Sequence, residues 1–156
     1  MAIPAQNIDE VLLELDKIID QSVADNNHLG IFAYVYRRTT AQVKQAIIEK
    51  QFEDNERMEK MDVAFANLYL KAYRDFHQKN ECAASWQTAF NAGKSSATIL
   101  QHIMLGMNAH INLDLGVAAA TFAPGLHMDT LETDFMKVNL ILKGLVNEMQ
   151  ERVARV

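Results

Sequence analysis

The sequence has few of the residues that hold together small secreted folds or cysteine-rich metal folds. Its 156 residues include one cysteine, Cys82, which excludes an internal disulfide and any zinc site built from several cysteines. Lysine and arginine number 15 against 20 acidic residues, so the net charge is −5. The general attraction to phosphate that nucleic-acid binders use is therefore missing. We expect no nucleic-acid partner and a reducing, cytoplasmic location.

Long apolar runs and helix breakers are also scarce. The first ten residues have neither the basic flank nor the apolar run of a signal peptide, and polar groups interrupt the longest apolar stretch, so we expect no membrane partner. Only two prolines and six glycines interrupt the chain, and no linker or repeat divides it. With 49% hydrophobic residues, the chain is predicted to fold as a single helical domain over residues 1–156.

Apolar residues at helical spacing predict an all-α bundle of six to seven helices. Asn7 and Glu10 form a capping box that starts the first helix, and Thr39 with Gln42 forms a second such box. Trp86 is expected to anchor the core. The predicted helices span residues 8–26, 31–36, 39–52, 55–77, 84–92, 96–122 and 129–156.

The segment 96–122 differs from the others because its apolar residues point in every direction around a helix. We therefore predict a central helix that the other helices enclose, bent near Gly116. A membrane-spanning interpretation is disfavoured, because the polar and ionisable side chains of this segment would lie inside the bilayer at a cost of several kcal/mol.

Polar residues inside this predicted central helix form the one group of side chains in the sequence that is suited to bind a metal or a ligand. His102, Gly106, His110 and Asp114 follow one another at intervals of four, so they lie on one slowly drifting stripe. The imidazole of His110 and the carboxylate of Asp114 lie on adjacent turns. There both groups can face one divalent ion, or the carboxylate can orient the ring.

Other segments must complete any site. Asp62 lies on the apolar stripe of the 55–77 helix, where a carboxylate is costly without a partner, and with His110 and Asp114 it makes the predicted metal site. Oxygen and imidazole ligands suit zinc, manganese or iron. Asp54, in the preceding turn, is a further candidate for ligand binding, and His127 is placed to fold back toward the central helix.

Two functional hypotheses remain open at this point. In the first, the protein binds a divalent metal or a small ligand through the His/Asp cluster, and in its enzymatic form a metal-bound water attacks the substrate of a hydrolase. In the second, the buried polar residues satisfy one another, and the protein is a non-catalytic interaction or scaffold protein that pairs as a homodimer through an apolar helix face.

The segment Gly106–Leu115, with Asn-Ala-His-Ile followed by Asp-Leu, resembles a bacterial family known only as a domain of unknown function. The segments 52–54 and 58–66 are similar to the same family. The resemblance implies a compact helical domain with no assigned activity, and it adds Asn108 to the ligand-binding candidates. His110 and Asp114 are also similar in spacing to the ligand pairs of helical zinc-dependent phospholipases C and nucleases. Those enzymes are secreted and use more histidines than the five in this chain.

Overall fold

The computed structural model describes residues 3–122 and 128–153, and the regular secondary structure of these residues is all helical, with no strand. The α-helices in chain order are α1 (Ile8–Ala24), α2 (Gly30–Ile48), α3 (Asn55–His77), α4 (Ala84–Asn91), α5 (Ile99–Ala109), α6 (Leu115–Phe122) and α7 (Met128–Val153). A π-helical turn, His110–Asp114, joins α5 to α6, so residues 99–122 form one continuous helix. The predicted all-α class is confirmed.

Helices α1, α2 and α3 form the base of the bundle, and their inward faces supply most of the core. The continuous helix 99–122 lies across them: α5 packs on α2 and α4, and α6 packs on α3. Helix α7 packs on α2. No helix in the described part of the chain combines the length and the apolar character needed to cross a membrane.

The local signals for helix starts succeed at some positions and fail at one. Asn7 caps α1 as predicted, because its side chain accepts a hydrogen bond from the Glu10 amide at 2.9 Å. The prediction of a new helix after Thr39 is wrong. α2 runs unbroken from Gly30 to Ile48, and the Thr39 hydroxyl donates back to the Val35 carbonyl at 3.1 Å. A Ser/Thr-x-x-Gln pattern starts a helix only where the chain has left the preceding one.

The first three helices end in the same way without glycine. Asn26, Lys50 and Lys79 have positive φ angles of 49°, 56° and 58°. In each case the next residue donates its amide proton to a carbonyl five residues back, as in a Schellman motif. Asparagine tolerates this left-handed conformation better than most non-glycine residues, so Asn26 signals the end of α1, whereas Lys50 and Lys79 give no such signal.

The expectation that other helices enclose the 96–122 segment is also wrong. Leu100 is 66% exposed and Met104 is 56% exposed, so one side of the helix faces solvent. Apolar residues occur on all sides of this helix because both its buried face and its exposed face are apolar. The backbone irregularity lies in the π-helical turn before Gly116, and the helix starts at Ile99 with a capping box formed by Thr98 and Gln101.

Gly106 sets how closely α5 approaches α2. A Cβ atom added at this position would lie 2.4 Å from ring carbons of Phe32 and 2.9 Å from its Cβ. Because Phe32 is itself buried among other rings, it has little room to move.

We predict that Gly106→Ala lowers the free energy of unfolding by about 1–3 kcal/mol, the usual cost of overpacking. Gly144→Ala in α7 is the matched control, because nothing lies within 4 Å of an added Cβ there. This control should gain about 0.5–1 kcal/mol from its lower backbone entropy when unfolded. Urea unfolding of the two variants measures both values, and equal effects at the two glycines would show that α5 and α2 are not packed this closely.

Candidate functional site

The π-helical turn determines how His110 and Asp114 face the interior. Five residues at intervals of four are all buried: His102, Gly106, His110, Asp114 and Ala118. In a regular α-helix each such step advances about 40°, so five positions would spread around nearly half of the helix. A π-helical turn is wider and rotates less per residue, so it reverses part of this drift. The predicted stripe therefore stays on the inner side along its whole length.

His110 and Asp114 form a direct buried pair. The Nδ1 atom of His110 lies 3.0 Å from Oδ2 of Asp114, and both side chains are only 6% exposed. Since a carboxylate accepts and does not donate, we assign the proton of the neutral imidazole to Nδ1. The sequence prediction that the two residues meet on adjacent turns is borne out by this contact.

Trp86 is the second donor to the same carboxylate. Its indole Nε1 donates to Asp114, at 3.2 Å from Oδ1 and 3.1 Å from Oδ2. Trp86 is 1% exposed, so it is the core anchor that we predicted. Its role as the partner of Asp114 was missed. A usable signal existed, because a buried indole N–H needs an acceptor and Asp114 is the only carboxylate in the segment 96–122.

Aromatic rings cover the rest of the imidazole, including one of its faces. Phe65 stacks on His110 with ring centroids 3.7 Å apart and an interplanar angle of 11°, and Tyr36 meets it edge-on at 4.3 Å. Burial lowers the pKa of His110, and the hydrogen bond and charge of Asp114 offset only part of that effect. The Nε2 atom is enclosed and has no hydrogen-bond partner among the described residues.

Asp62 lies near this cluster on α3 but does not pair with it. The residue as a whole is half-buried, whereas its Oδ2 atom is fully enclosed and has no hydrogen-bond partner within the described part of the chain. Burial, with a smaller contribution from the charge of Glu59, raises the pKa of Asp62 to about 7. Burial also raises the pKa of Tyr36, followed by the charges of Asp62 and Asp114, so Tyr36 senses both carboxylates.

The predicted metal ligands are therefore brought together only in part. His110 and Asp114 are in contact, but in residues 3–122 and 128–153 no three His, Cys, Asp or Glu side chains converge as a metal site. Asp62 as a ligand stays a prediction.

The two ligand-binding candidates lie elsewhere. Asp54 caps α3 by accepting from the Arg57 amide at 3.0 Å, and Asn108 is exposed, accepting from Asn112 at 2.6 Å. Their ligand roles also stay predictions. His127 lies outside the described residues.

A cleft of about 350 Å³ lies between α3, α4 and the π-helical turn. Asp114 and Trp86, which are 4% and 1% exposed as whole residues, are among the residues that line it. Lys71, Asp75 and Glu81 are its other charged residues, and Lys71 Nζ lies 2.5 Å from Asp75 Oδ2. The remaining wall is mostly apolar and consists of Leu68, Ala72, Ala83 and Leu113, with Cys82.

Cys82 is half-buried, and burial raises the pKa of its thiol. The neighbouring Asp75 raises it further, while Lys71 acts in the opposite direction with a smaller effect. The side chain is therefore a neutral thiol at physiological pH, and such a thiol is a poor nucleophile.

Asp134 was missed by the sequence reasoning. This fully buried residue of α7 accepts from the Glu53 amide at 2.8 Å and pairs with Arg57 at 2.8 Å. It thereby ties α7 to the α2–α3 connection. The sequence signal for Asp134 is the same as that for Asp62. Asp134 is a carboxylate next to residues of an apolar helical stripe, here Leu131 and Phe135, where it is costly without a partner.

The chain belongs to a family of unknown function, DUF5995, which it matches over residues 8–156. No curated protein and no solved structure matches it. This match confirms that the chain resembles a family of unknown function. That the Asn-Ala-His-Ile motif is typical of the family, and that the protein is bacterial, stay predictions.

We predict that Trp86→Phe destabilises the protein by about 1–3 kcal/mol more in the parent than in an Asp114→Leu background. In the parent the substitution removes a donor from a buried carboxylate, whereas in the second background no carboxylate remains to be satisfied. The cost of the smaller ring is common to both and cancels in the double-mutant cycle, measured by denaturant unfolding. An equal cost in the two backgrounds would mean that the indole N–H does not stabilise Asp114.

Asp62 should make stability depend on pH. Its folded pKa of about 7 exceeds the ordinary value of 3.8, so between these values the folded protein holds a proton that the unfolded chain has released. The contribution of Asp62 to stability therefore falls as the pH rises through this window and is constant above it. Asp62→Asn should gain stability relative to the parent by up to a few kcal/mol from about pH 4 to about pH 7.

Chemical denaturation across this pH range measures the difference between parent and Asp62→Asn. The opposite effect of His110, whose lowered pKa favours folding as the pH rises toward 6.5, is present in both proteins and cancels. A difference that does not vary with pH would show that Asp62 stays ionised in the folded protein.

Proposed function

We propose that this protein is a helical binding protein that takes a small organic cation, such as an amine, into the cleft between α3, α4 and the π-helical turn. The observation that carries the proposal is the position of Asp114. This residue is almost completely buried, yet it is one of the residues that line a cleft of about 350 Å³. The cleft falls within the size range of small-molecule sites.

The charges of the cleft favour a cation. Three carboxylates line it, those of Asp75, Glu81 and Asp114, against one ammonium, that of Lys71. Lys71 pairs with Asp75, which leaves Glu81 and Asp114 without an opposite charge from the cleft lining. A cation that reaches Asp114 gains a charge-assisted hydrogen bond in a poorly solvated place.

The walls favour an organic ligand over a hydrated ion. Leu68, Ala72, Ala83 and Leu113 provide apolar surface, and the Trp86 ring lies beside the Asp114 carboxylate. An aromatic ring next to a carboxylate is an arrangement that suits alkylammonium groups. The donors Trp86 and His110 fix the carboxylate, so it needs little reordering when a ligand binds.

The geometry supports binding over catalysis. A hydrolase of the kind expected from the sequence needs an imidazole or a metal-bound water that faces the substrate. The Nε2 atom of His110 is enclosed by aromatic rings, and His110 is not among the residues that line the cleft. The neutral thiol of Cys82 offers no alternative nucleophile.

A metal centre is the second candidate, and one specific observation favours it. A carboxylate that accepts from Nδ1–H of a histidine is the usual support for a metal ligand at Nε2. Here Asp114 provides that support, and both Nε2 of His110 and Oδ2 of Asp62 are enclosed donor atoms without a hydrogen-bond partner in the described chain. Zinc, manganese or iron would suit these atoms.

Calorimetric titration with a panel of amines tests the first candidate, with alcohols of the same carbon skeleton as neutral controls. An amine should bind the parent, and Asp114→Asn should weaken that binding about tenfold or more because the charge is lost. Ala83→Trp should block the cleft without altering the His110 network, and Ala24→Trp, at an exposed position of α1, should bind like the parent.

The same measurements can refute the proposal. If alcohols bind as tightly as their amines, or if Ala83→Trp binds like the parent, the cleft is not a cation site. If no amine binds and parent and Asp114→Asn behave alike, the Asp114 network is structural and the protein fits the scaffold hypothesis.

Elemental analysis of the purified, untagged protein tests the metal candidate. Stoichiometric zinc, manganese or iron that is lost in His110→Ala would place the metal at Nε2. A metal content that is unchanged in this variant would exclude His110 as a ligand. Unfolding temperatures with and without added divalent ions provide an independent check, because a specific ion raises the unfolding temperature of the parent alone.

A further inference from the structure

The outer side of the helix 99–122 carries no charge. Across residues 95–121, all of them described, the one side chain with a fixed charge is Asp114, and it is buried, as are His102 and His110. In the whole chain 22% of residues are charged, so a neutral stretch of this length on the surface is unusual. Surface helices normally present charged residues to water.

This outer side is also apolar. Five of its large side chains are 40–66% exposed: Ile99, Leu100, Met104, Ile111 and Val117. Exposed positions recur roughly every four residues along it, and the helix is about 36 Å long. We define Leu100, Met104, Ile111, Gly116 and Val117 as the neutral face. Contiguous exposed apolar surface of this kind marks an interaction site.

Gly116 adds an independent observation. It lies exposed in the interior of a helix, where glycine costs about 0.5–1 kcal/mol relative to alanine. Nothing lies within 4 Å of a Cβ added at Gly116, so no contact within the described chain requires the absence of a side chain. Ala120, four residues on, is exposed as well. Small residues at this spacing let the backbone of another helix approach closely.

We propose that a second copy of this chain packs on the neutral face, with the two helices antiparallel about a twofold axis. The net charge of −5 makes two copies repel wherever their charged surfaces meet, and the neutral face is the surface on which they meet without like charges. The exposed amides of Asn108 and Asn112 lie beside it and can pair with the same amides of the partner.

A lipid surface fits the neutral face less well. Membrane-bound amphipathic helices carry lysine and arginine that attract anionic lipids, and residues 95–121 expose neither. The acidic chain as a whole is repelled by such lipids. This proposal is independent of the cleft, because the neutral face lies on the side of the helix opposite to Asp114.

Sedimentation velocity of the full chain at about 100 µM tests the proposal. The parent should sediment as a dimer of the 17.6 kDa chain, and Met104→Glu should sediment as a monomer because it places two like charges in the interface. Leu13→Glu is the matched control. It substitutes a 55% exposed leucine on α1, away from the neutral face, and should remain a dimer. Circular dichroism confirms that each variant is folded.

A charge-reversal pair tests the symmetry. Ile111 lies near the midpoint of the neutral face, so in an antiparallel pair it meets its own copy. Ile111→Glu and Ile111→Lys should each be monomeric, and an equimolar mixture should restore the dimer. A monomeric parent, a dimeric Met104→Glu, or a mixture that stays monomeric would each overturn the proposal. A monomeric parent that binds zwitterionic vesicles through Met104 would assign the face to lipid instead.

Discussion

The burial of one carboxylate, that of Asp114, is the constraint on which the geometry around it depends. A carboxylate removed from water needs hydrogen-bond donors, and here they come from Trp86 on α4 and from His110 one turn earlier. These contacts fix the position of α4, the tautomer of His110 and the ring against which Phe65 stacks. The π-helical turn is part of the same arrangement, since it keeps His110 and Asp114 on the inner side of one helix.

The sequence predicts much of this fold because its signals are local. The apolar stripe from Met58 to Phe76 predicted a helix over residues 55–77, which are the observed bounds of α3. The spacing of His110 and Asp114 predicted their contact in the same way, since both lie on one helix. In both cases the evidence lay within a single helix, and the prediction was confirmed.

The errors arise where burial depends on distant parts of the chain. Leu100 and Met104 have the side chains of core residues, and nothing in the sequence separates an enclosed apolar helix from one with an exposed apolar face. The contact between Trp86 and Asp114 joins residues 28 positions apart, and that between Glu53 and Asp134 joins residues 81 apart. Such pairs follow from tertiary packing, so spacing alone does not reveal them. The positive φ angles at Lys50 and Lys79 could not be predicted from the sequence either, because lysine does not signal a helix end.

Some of the buried polar atoms around His110 have hydrogen-bond partners and others do not, and this difference is relevant to function. Asp114 has its donors, whereas the enclosed atoms Nε2 of His110, Oδ2 of Asp62 and the hydroxyl oxygen of Tyr36 have no hydrogen-bond partner among the described residues. Each such atom costs about 1–3 kcal/mol, so the cluster lowers stability unless another group meets these atoms. A core selected for stability alone would use apolar residues at these positions.

The π-helical turn affects both sides of the helix that contains it. On the inner side it presents Asp114 to the cleft, and on the outer side it keeps Ile111 and Gly116 on one continuous face. A rearrangement of this turn to regular α-helix would rotate the residues that follow it by about 100° relative to those before it. Asp114 would leave the cleft and Gly116 would leave the neutral face in the same step. The same short backbone irregularity therefore determines both which carboxylate lines the cleft and which side chains form the neutral face.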